Sequence, residues 1–248
     1  MAVGTSRIGD LSGDPEWNSL GQSIVACQLC PRLIEHCRSV ARLRRRAYRD
    51  QTYWGRPVPG FGDRDARIMM LGLAPGAHGA NRTGRMFTGD RSGDWLYGAL
   101  HRAGLADRPE SVARDDGLTL RDVFISGTCR CAPPGNRPTR QEMDRCAPFL
   151  DRELEMLAGL RVVVALGQIA WEAALRCSAR VAPAQPVRPR HRFGHGAEAS
   201  IRLRGGADPA WLLGSYHPSQ QNTQTGRLTR PMFDSVIARA VELAAPEA

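Results

Sequence analysis

The segment IMMLGLAPGAHGANRTGRMFTGD, residues 68–90, decides the fold class because it joins an apolar run to a glycine-rich polar loop. The run over 68–73 is short and ends at polar and glycine residues, which is typical of a buried strand. Similar runs lie over 122–126, 162–166 and 211–216. Helical patterns separate these runs, so the sequence predicts an α/β fold with a parallel sheet between helices.

Polar loops follow three of the four predicted strands. The loop after 122–126 reads GTCRCAPPGNRP, and the loop after 211–216 reads HPSQQNTQTGRLT. Parallel sheets of this class bind ligands beyond the carboxyl ends of their strands. Together with the loop after 68–73, these loops predict a single active site at one edge of the sheet.

The chain length of 248 residues fits one domain, which we predict over 1–248. Residues 178–206 are rich in Pro, Arg, Gly and Ala, and we expect a surface loop or hairpin there. The apolar runs are too short to cross a bilayer, and the N-terminal residues lack the apolar core of a signal peptide. A cytoplasmic protein without a membrane partner is therefore predicted.

The charge balance is unusual because all 34 basic residues counted as Lys+Arg are arginines. Against 25 acidic residues they give a formal net charge of +9. Without lysine, no side-chain amine is available for Schiff-base chemistry, and only the N-terminal amine remains. The planar guanidinium fork suits phosphate, so the composition favours a polyanionic partner such as nucleic acid.

The seven cysteines are expected to be metal ligands or free thiols, since disulfides are rare in the cytoplasm. Cys27 and Cys30 form a C-x-x-C pair, and Cys131 and Cys146 form a wider pair. Four thiolates from two segments can hold zinc or an iron–sulfur cluster, and the spacing does not separate these two. A redox C-x-x-C with scattered core cysteines is the alternative.

The remaining cysteines leave the ligand set open. Cys129 lies two residues before Cys131, so at a strand end both would share a face and either could be the ligand. Cys37 and Cys177 fall in helical patterns and are expected in the core.

Taken together, the quoted segments resemble family 5 (type B) of the uracil-DNA glycosylase superfamily. The resemblance rests on residues 72–90, RCAPPGNRPT at 130–139, HPSQQNTQTGRLT at 217–229 and CQLC at 27–30. It implies a three-layer α/β/α sandwich around a four-stranded parallel sheet. It also implies a [4Fe–4S] cluster. The implied ligands, with Cys131 standing where the family's R-C-x-P-P motif has its ligand, are Cys27, Cys30, Cys131 and Cys146.

The implied activity is hydrolysis of the N-glycosidic bond of uracil in duplex DNA, which initiates base-excision repair. Other deaminated bases such as hypoxanthine are implied as well, because the chain has Ala74, Pro75 and Gly127 where other branches have a water-activating Asp or a base-reading Asn. The lack of lysine favours hydrolysis without lyase activity. The expected partner is duplex DNA containing such bases, bound by a monomer in the bacterial nucleoid.

A glycosylase must unstack a base, stabilise a sugar cation and neutralise the departing base anion. The resemblance implies that Phe87 stacks on the base and that His217 donates a hydrogen bond to the base carbonyl O2. Asn136 is expected to bind the base edge or position the water, with a turn role as the alternative. Asp90 is expected to orient the water or stabilise the cation, with helix capping as the alternative.

Other motif residues are expected to line the pocket or to contact DNA. The base-pocket group is Gly72, His78 and Asn81, and the DNA-contacting group is Arg82, Arg85, Arg137, Gln221 and Arg227. A wedge entering the duplex is expected from Gln220, Gln221 or Leu228. The arginines over 42–49 either bind DNA or are solvated. The alternative function is a non-catalytic iron–sulfur protein that binds DNA or senses redox state.

Overall fold

The computed structural model describes residues 14–181, 191–203 and 209–245. We number the helices and strands in chain order. The helices are α1 Pro15–Ala26, α2 Pro31–Leu43, α3 Ala80–Thr83, α4 Arg91–Arg102, α5 Arg140–Met156, α6 Gln168–Val181, α7 Gln220–Gln224 and α8 Arg230–Ala244. The strands are β1 Phe61–Gly62, β2 Ile68–Gly72, β3 Val123–Gly127, β4 Val162–Leu166, β5 Glu198–Ile201 and β6 Ala210–Ser215.

The strands form one mixed sheet in the order β1-β3-β2-β4-β6-β5. The four predicted strands are its centre and are mutually parallel, with Ile68 opposite both Val123 and Val162. The prediction of a four-stranded parallel sheet is therefore confirmed for the core. That prediction did not include β1 and β5, which add one antiparallel strand at each edge of the sheet.

Two faces of the sheet are covered by helices, as the α/β/α prediction requires. Side chains alternate along β2, so that Ile68 and Met70 pack with α4 and α8, whereas Met69 and Leu71 pack with α1, α5 and α6. All five β2 residues are buried, which explains why its sequence is apolar without alternation. Across 14–181, 191–203 and 209–245, no helix has the length and apolarity needed to cross a membrane.

Part of the segment expected as a surface loop or hairpin over 178–206 is described, and there β5 lies antiparallel to the next strand, as in a hairpin. Its first residues belong to α6, and β5 pairs with β6. Residues 182–190 and 204–208 of that segment lie outside the described residues.

The cysteine-bearing helices α2 and α5 are joined by one carboxylate. Thr139 and Glu142 form a capping box at the start of α5. The same Glu142 carboxylate accepts two hydrogen bonds from Arg32 of α2, at 2.8 and 2.7 Å. This bridge holds the N-terminal segment against the loop that follows β3.

Candidate active site

The three polar loops converge at the carboxyl edge of the sheet, as predicted. The Thr128 N–H donates to the Gly72 carbonyl at 2.9 Å, which joins the loops after β3 and β2. The rings of Phe87 and His217 lie 5.9 Å apart between centroids and 28° from parallel, which joins the loops after β2 and β6. Residues from all three loops therefore form one site.

Phe87 is held at this site in an unusual backbone conformation. Its φ is +53°, in the left-handed region that a non-glycine residue rarely adopts. A Cβ at Gly72 would stand 2.8 Å from the ring, and a Cβ at Gly93 would collide with the Phe87 carbonyl. Both positions thus require glycine if Phe87 is to keep this place beside the end of β2. Such local strain is found at functional sites.

His217 follows directly on the end of β6, beside Phe87. Burial of the imidazole lowers the pKa of His217 to about 4, so the ring is neutral near pH 7. Asn222 donates from its side-chain amide to the His217 carbonyl at 2.9 Å. A neutral ring can donate one hydrogen bond without bringing a charge into the site.

The lowered pKa of His217 has a consequence for stability. An unfolded histidine titrates near 6.5, so between about pH 6.5 and 4 the unfolded chain binds a proton that the folded protein excludes. This histidine therefore lowers the free energy of unfolding as the pH falls through that window, by on the order of 3 kcal/mol. Urea unfolding at pH 7.5 and 5 covers the upper part of this window, where about 2 kcal/mol of the loss is expected, and the loss should be smaller in a His217→Gln variant.

Burial also lowers the pKa values of His78 and His195, and it raises the pKa of Asp90. The His217→Gln variant keeps all three residues. Their contributions therefore cancel in the comparison. An equal loss in wild type and His217→Gln would show that His217 is not desolvated.

Asp90 both caps α4 and faces the first loop. Its Oδ1 accepts hydrogen bonds from the N–H groups of Ser92 and Gly93, each at 3.0 Å. Its Oδ2 faces the glycine loop: a Cβ at Gly79 would stand 2.0 Å away, and one at Gly76 would stand 2.9 Å away. Burial raises the pKa of this carboxyl. The two expected roles thus fall on different oxygens of one side chain.

Asn136 occupies the turn that its alternative role predicts. It follows Gly135, and both residues have φ near +60°. The Asn136 N–H donates to the Pro133 carbonyl at 3.1 Å, closing the turn. Its side chain is exposed, so the turn role does not occupy the amide.

The expected base-pocket residues occupy different positions. Gly72 ends β2 under the Phe87 ring. The His78 Nδ1 lies 2.9 Å from the Tyr53 hydroxyl. Asn81 is fully buried and its amide donates to the carbonyls of Cys37 and Ala77, both at 3.3 Å. We therefore correct the expectation for Asn81: it connects α2 to the loop and is closed to a base.

Two of the expected DNA-contacting arginines are also interior. Arg82 is buried and donates to the carbonyls of His78 and Gly89, both at 2.7 Å. Arg85 is buried and pairs with Asp116 at 2.6 Å. A phosphate would have to displace these partners, so both expectations are corrected: these arginines shape the first loop.

The remaining DNA candidates are exposed. They are Arg137, Gln221 and Arg227. The guanidinium of Arg227 lies over the Tyr216 ring, 4.6 Å from its centroid. Leu228 is fully buried in the core, so it cannot be the wedge. Gln220 and Gln221, both exposed on α7, remain available for that role.

The four expected ligand cysteines lie around one small cavity of about 20 Å³. Its lining includes Cys27, Cys30, Cys131 and Cys146, together with apolar side chains of α2 and α5. Cys129 is not in the lining, although its thiol lies beside that of Cys146. Within the described ranges, no group of three or more His, Cys, Asp or Glu side chains is placed to hold a metal ion.

The other cysteines are buried, as expected from their helical patterns. Cys37 packs beside Cys131 in a small core under α2. The Cys177 thiol donates to Asp151 at 3.0 Å. Neither lines the cysteine cavity.

Two side chains near the site were missed by sequence reasoning. Asn222 lies within the quoted motif 217–229, five residues after His217, so the motif itself was the available signal. Tyr53 lies outside every motif, and no pattern in its surroundings indicated its contact with His78.

A model of the uracil DNA glycosylase superfamily matches residues 59–240. The type-5 uracil-DNA glycosylase of Thermus thermophilus is 52% identical over 223 residues, which cover 90% of this chain and 96% of that protein. The type-5 enzyme of Mycobacterium tuberculosis is 51% identical over 229 residues, 92% of this chain and 82% of that protein.

A more distant relative is the type-4 uracil-DNA glycosylase of Archaeoglobus fulgidus, which is 34% identical over 114 residues, 46% of this chain and 49% of that protein. The superfamily match spans the sheet and all three loops of the site. The type-5 relatives match along most of the chain. The chain therefore belongs to the uracil-DNA glycosylase superfamily and, within it, to the type-5 group.

Proposed function

We propose that the protein is a monofunctional DNA glycosylase that hydrolyses the N-glycosidic bond of uracil in duplex DNA and so initiates base-excision repair. The observation that carries this proposal is the stacking of an aromatic platform, Phe87, against a neutral imidazole, His217, with the half-buried Asp90 carboxylate three residues after Phe87 on the same loop. These groups meet the three needs of the reaction, which are base stacking, leaving-group stabilisation and water placement.

Phe87 and His217 act on the base. The flipped uracil stacks on the Phe87 ring, which the contact with Gly72 holds in place. As the bond from N1 to C1′ breaks, negative charge develops on O2 of the base. The neutral His217 ring donates a hydrogen bond to that oxygen, and the interaction strengthens as the charge grows.

Asp90 acts on the sugar side. Its Oδ1 is occupied by helix capping, so Oδ2 is the oxygen left to accept a hydrogen bond from the attacking water. The water adds to C1′ of the cationic sugar and loses a proton, while the released base gains one from solvent. Asn136, exposed after β3, is proposed to bind the base edge or to position this water.

The DNA backbone is proposed to follow exposed arginines around the site. Arg137 and Arg227 lie on the loops after β3 and β6. A further basic turn, residues 44–49, is joined to the first loop because Arg82 stacks over the Tyr48 ring at 4.1 Å. Sequence-independent phosphate contacts of this kind make binding weaken as salt rises.

We propose that Cys27, Cys30, Cys131 and Cys146 hold a [4Fe–4S] cluster. The fit is supported by the four thiols, which lie around one cavity. The cluster would supply a structural crosslink between α2, α5 and the loop after β3. Phe87, Asp90 and His217 belong to the other two loops, whereas Asn136 lies on the same loop as Cys131.

The function is tested by incubating the purified protein with duplexes containing a U:G pair, a U:A pair or hypoxanthine, and with single-stranded uracil DNA. We expect abasic sites in the U:G duplex, seen as strand breaks only after alkali treatment. Breaks without alkali would contradict the absence of lyase activity. Tight DNA binding with intact DNA after alkali would favour the non-catalytic alternative. Release of hypoxanthine tests the broader base range.

A further inference from the structure

Arg130 is a buried arginine with one donor left unpaired. Its side chain is 1% exposed. Nη1 donates to the Ser126 hydroxyl at 2.8 Å, and Nη2 donates to Glu153 at 2.7 Å. Nε has no hydrogen-bond partner among the residues that the structure describes. Leaving a buried donor without a partner is destabilising, so its retention needs an explanation.

The position of Arg130 explains why the unpaired donor is retained, because Arg130 lines the cavity of the four cysteines. The two other charged side chains in that lining are already engaged. Glu142 binds Arg32 and caps α5, and Arg145 donates to the Leu29 carbonyl at 3.1 Å. The unpaired Nε of Arg130 is therefore the buried charged donor available to whatever occupies the cavity.

Ser126 and Glu153 fix the orientation of the Arg130 guanidinium. Ser126 donates to Glu153 at 2.6 Å while accepting from Arg130, so the three groups form a closed set. Glu153 is itself 1% exposed, and a Cβ at Gly60 would stand 2.6 Å from its Oε1. The guanidinium of Arg130 therefore has little room to rotate. Its Nη1 and Nη2 stay on Ser126 and Glu153, and its Nε does not reach either of them.

We propose that the Arg130 Nε–H donates a hydrogen bond to a sulfur of the iron–sulfur cluster and raises its reduction potential. The inference rests on the cofactor assigned under Proposed function. Hydrogen bonds to the sulfurs are among the determinants of iron–sulfur potentials. They favour the reduced state because it carries more negative charge. Arg130 is in this sense a positioning and tuning residue, placed outside the base pocket.

The test is an Arg130→Lys variant, which keeps the positive charge opposite Glu153 but has no Nε–H. We expect it to bind iron as the wild type does and to have a lower reduction potential. A tenfold weaker electron affinity corresponds to about 59 mV for a one-electron couple. The potential is measured by titration with dithionite and mediator dyes, followed by the visible absorbance and the electron paramagnetic resonance of the cluster.

Two further variants make the result decisive. Arg130→Met combined with Glu153→Gln removes both charges together, so no buried charge is left unpaired, and it should show the same downward shift. Arg145→Lys alters an exposed arginine of the same cavity and should leave the potential unchanged.

The outcomes separate the two proposals. Unchanged potentials in iron-loaded variants, with only lower thermal stability, would overturn the inference and give Arg130 a purely structural role. A wild-type protein that contains no iron would contradict the cofactor assignment and the inference with it, while uracil release could still be observed.

Discussion

Replacing His217 with alanine is expected to lower the single-turnover rate of uracil release by about 10²- to 10³-fold, the scale of one lost oxyanion donor. The imidazole is half-buried beside Phe87 and neutral, so its hydrogen bond grows in strength as charge moves onto the base. Binding of the ground-state duplex should change little, because uracil O2 carries little charge before the bond breaks. Quenched single-turnover assays on a U:G duplex measure the rate.

A matched control is His101→Ala, which alters an exposed histidine in the last turn of α4. It should retain the wild-type rate. A His217→Ala variant that releases uracil within a few-fold of wild type, with unchanged folding, would remove His217 from the catalytic assignment.

The second large effect is expected at Asp90, where two substitutions separate capping from catalysis. In Asp90→Asn the side-chain oxygen can still accept from Ser92 and Gly93, so the thermal midpoint should stay close to wild type. The negative charge that binds the water and faces the sugar cation is lost, so the rate should fall at least tenfold. Asp90→Ala should lose the rate and also about 0.5–2 kcal/mol of stability.

Gly79→Ala provides an independent test with the carboxylate retained. The added Cβ would stand 2.0 Å from Oδ2, so that oxygen must move and the rate should fall. Asp94→Asn, at an exposed acid in the same helix turn, is the matched control and should leave the rate unchanged. An active Asp90→Asn variant would mean that Asp90 is only a helix cap.

The parallel core of the fold could be predicted because each inner strand is a continuous apolar run. The two edge strands, β1 and β5, could not be predicted from the sequence. β1 is two residues long, which is too short for any periodic signal. The alternation in β5, with Ala199 and Ile201 buried, spans four residues inside a stretch rich in turn-forming residues.

The site was predictable where a motif places a residue directly after a strand, as for His217 after β6. Prediction failed where the burial of a motif residue depends on distant partners. Arg85 meets Asp116 from a separate loop, and the partner carbonyl of Asn81 belongs to α2. Spacing along the chain carries no sign of such contacts, so a loop arginine that binds DNA and one that holds the loop together look alike.

The two edge strands also bear on whether the sheet can pair with a strand of another chain. A parallel sheet with open sides presents rows of free N–H and C=O groups that can recruit a strand from another chain. Here the outer position beside β3 is taken by the two-residue β1, and the outer position beside β6 is taken by the four-residue β5. Strands this short are poor templates for intermolecular pairing. The mixed sheet thus protects the aggregation-prone apolar strands on which the fold is built.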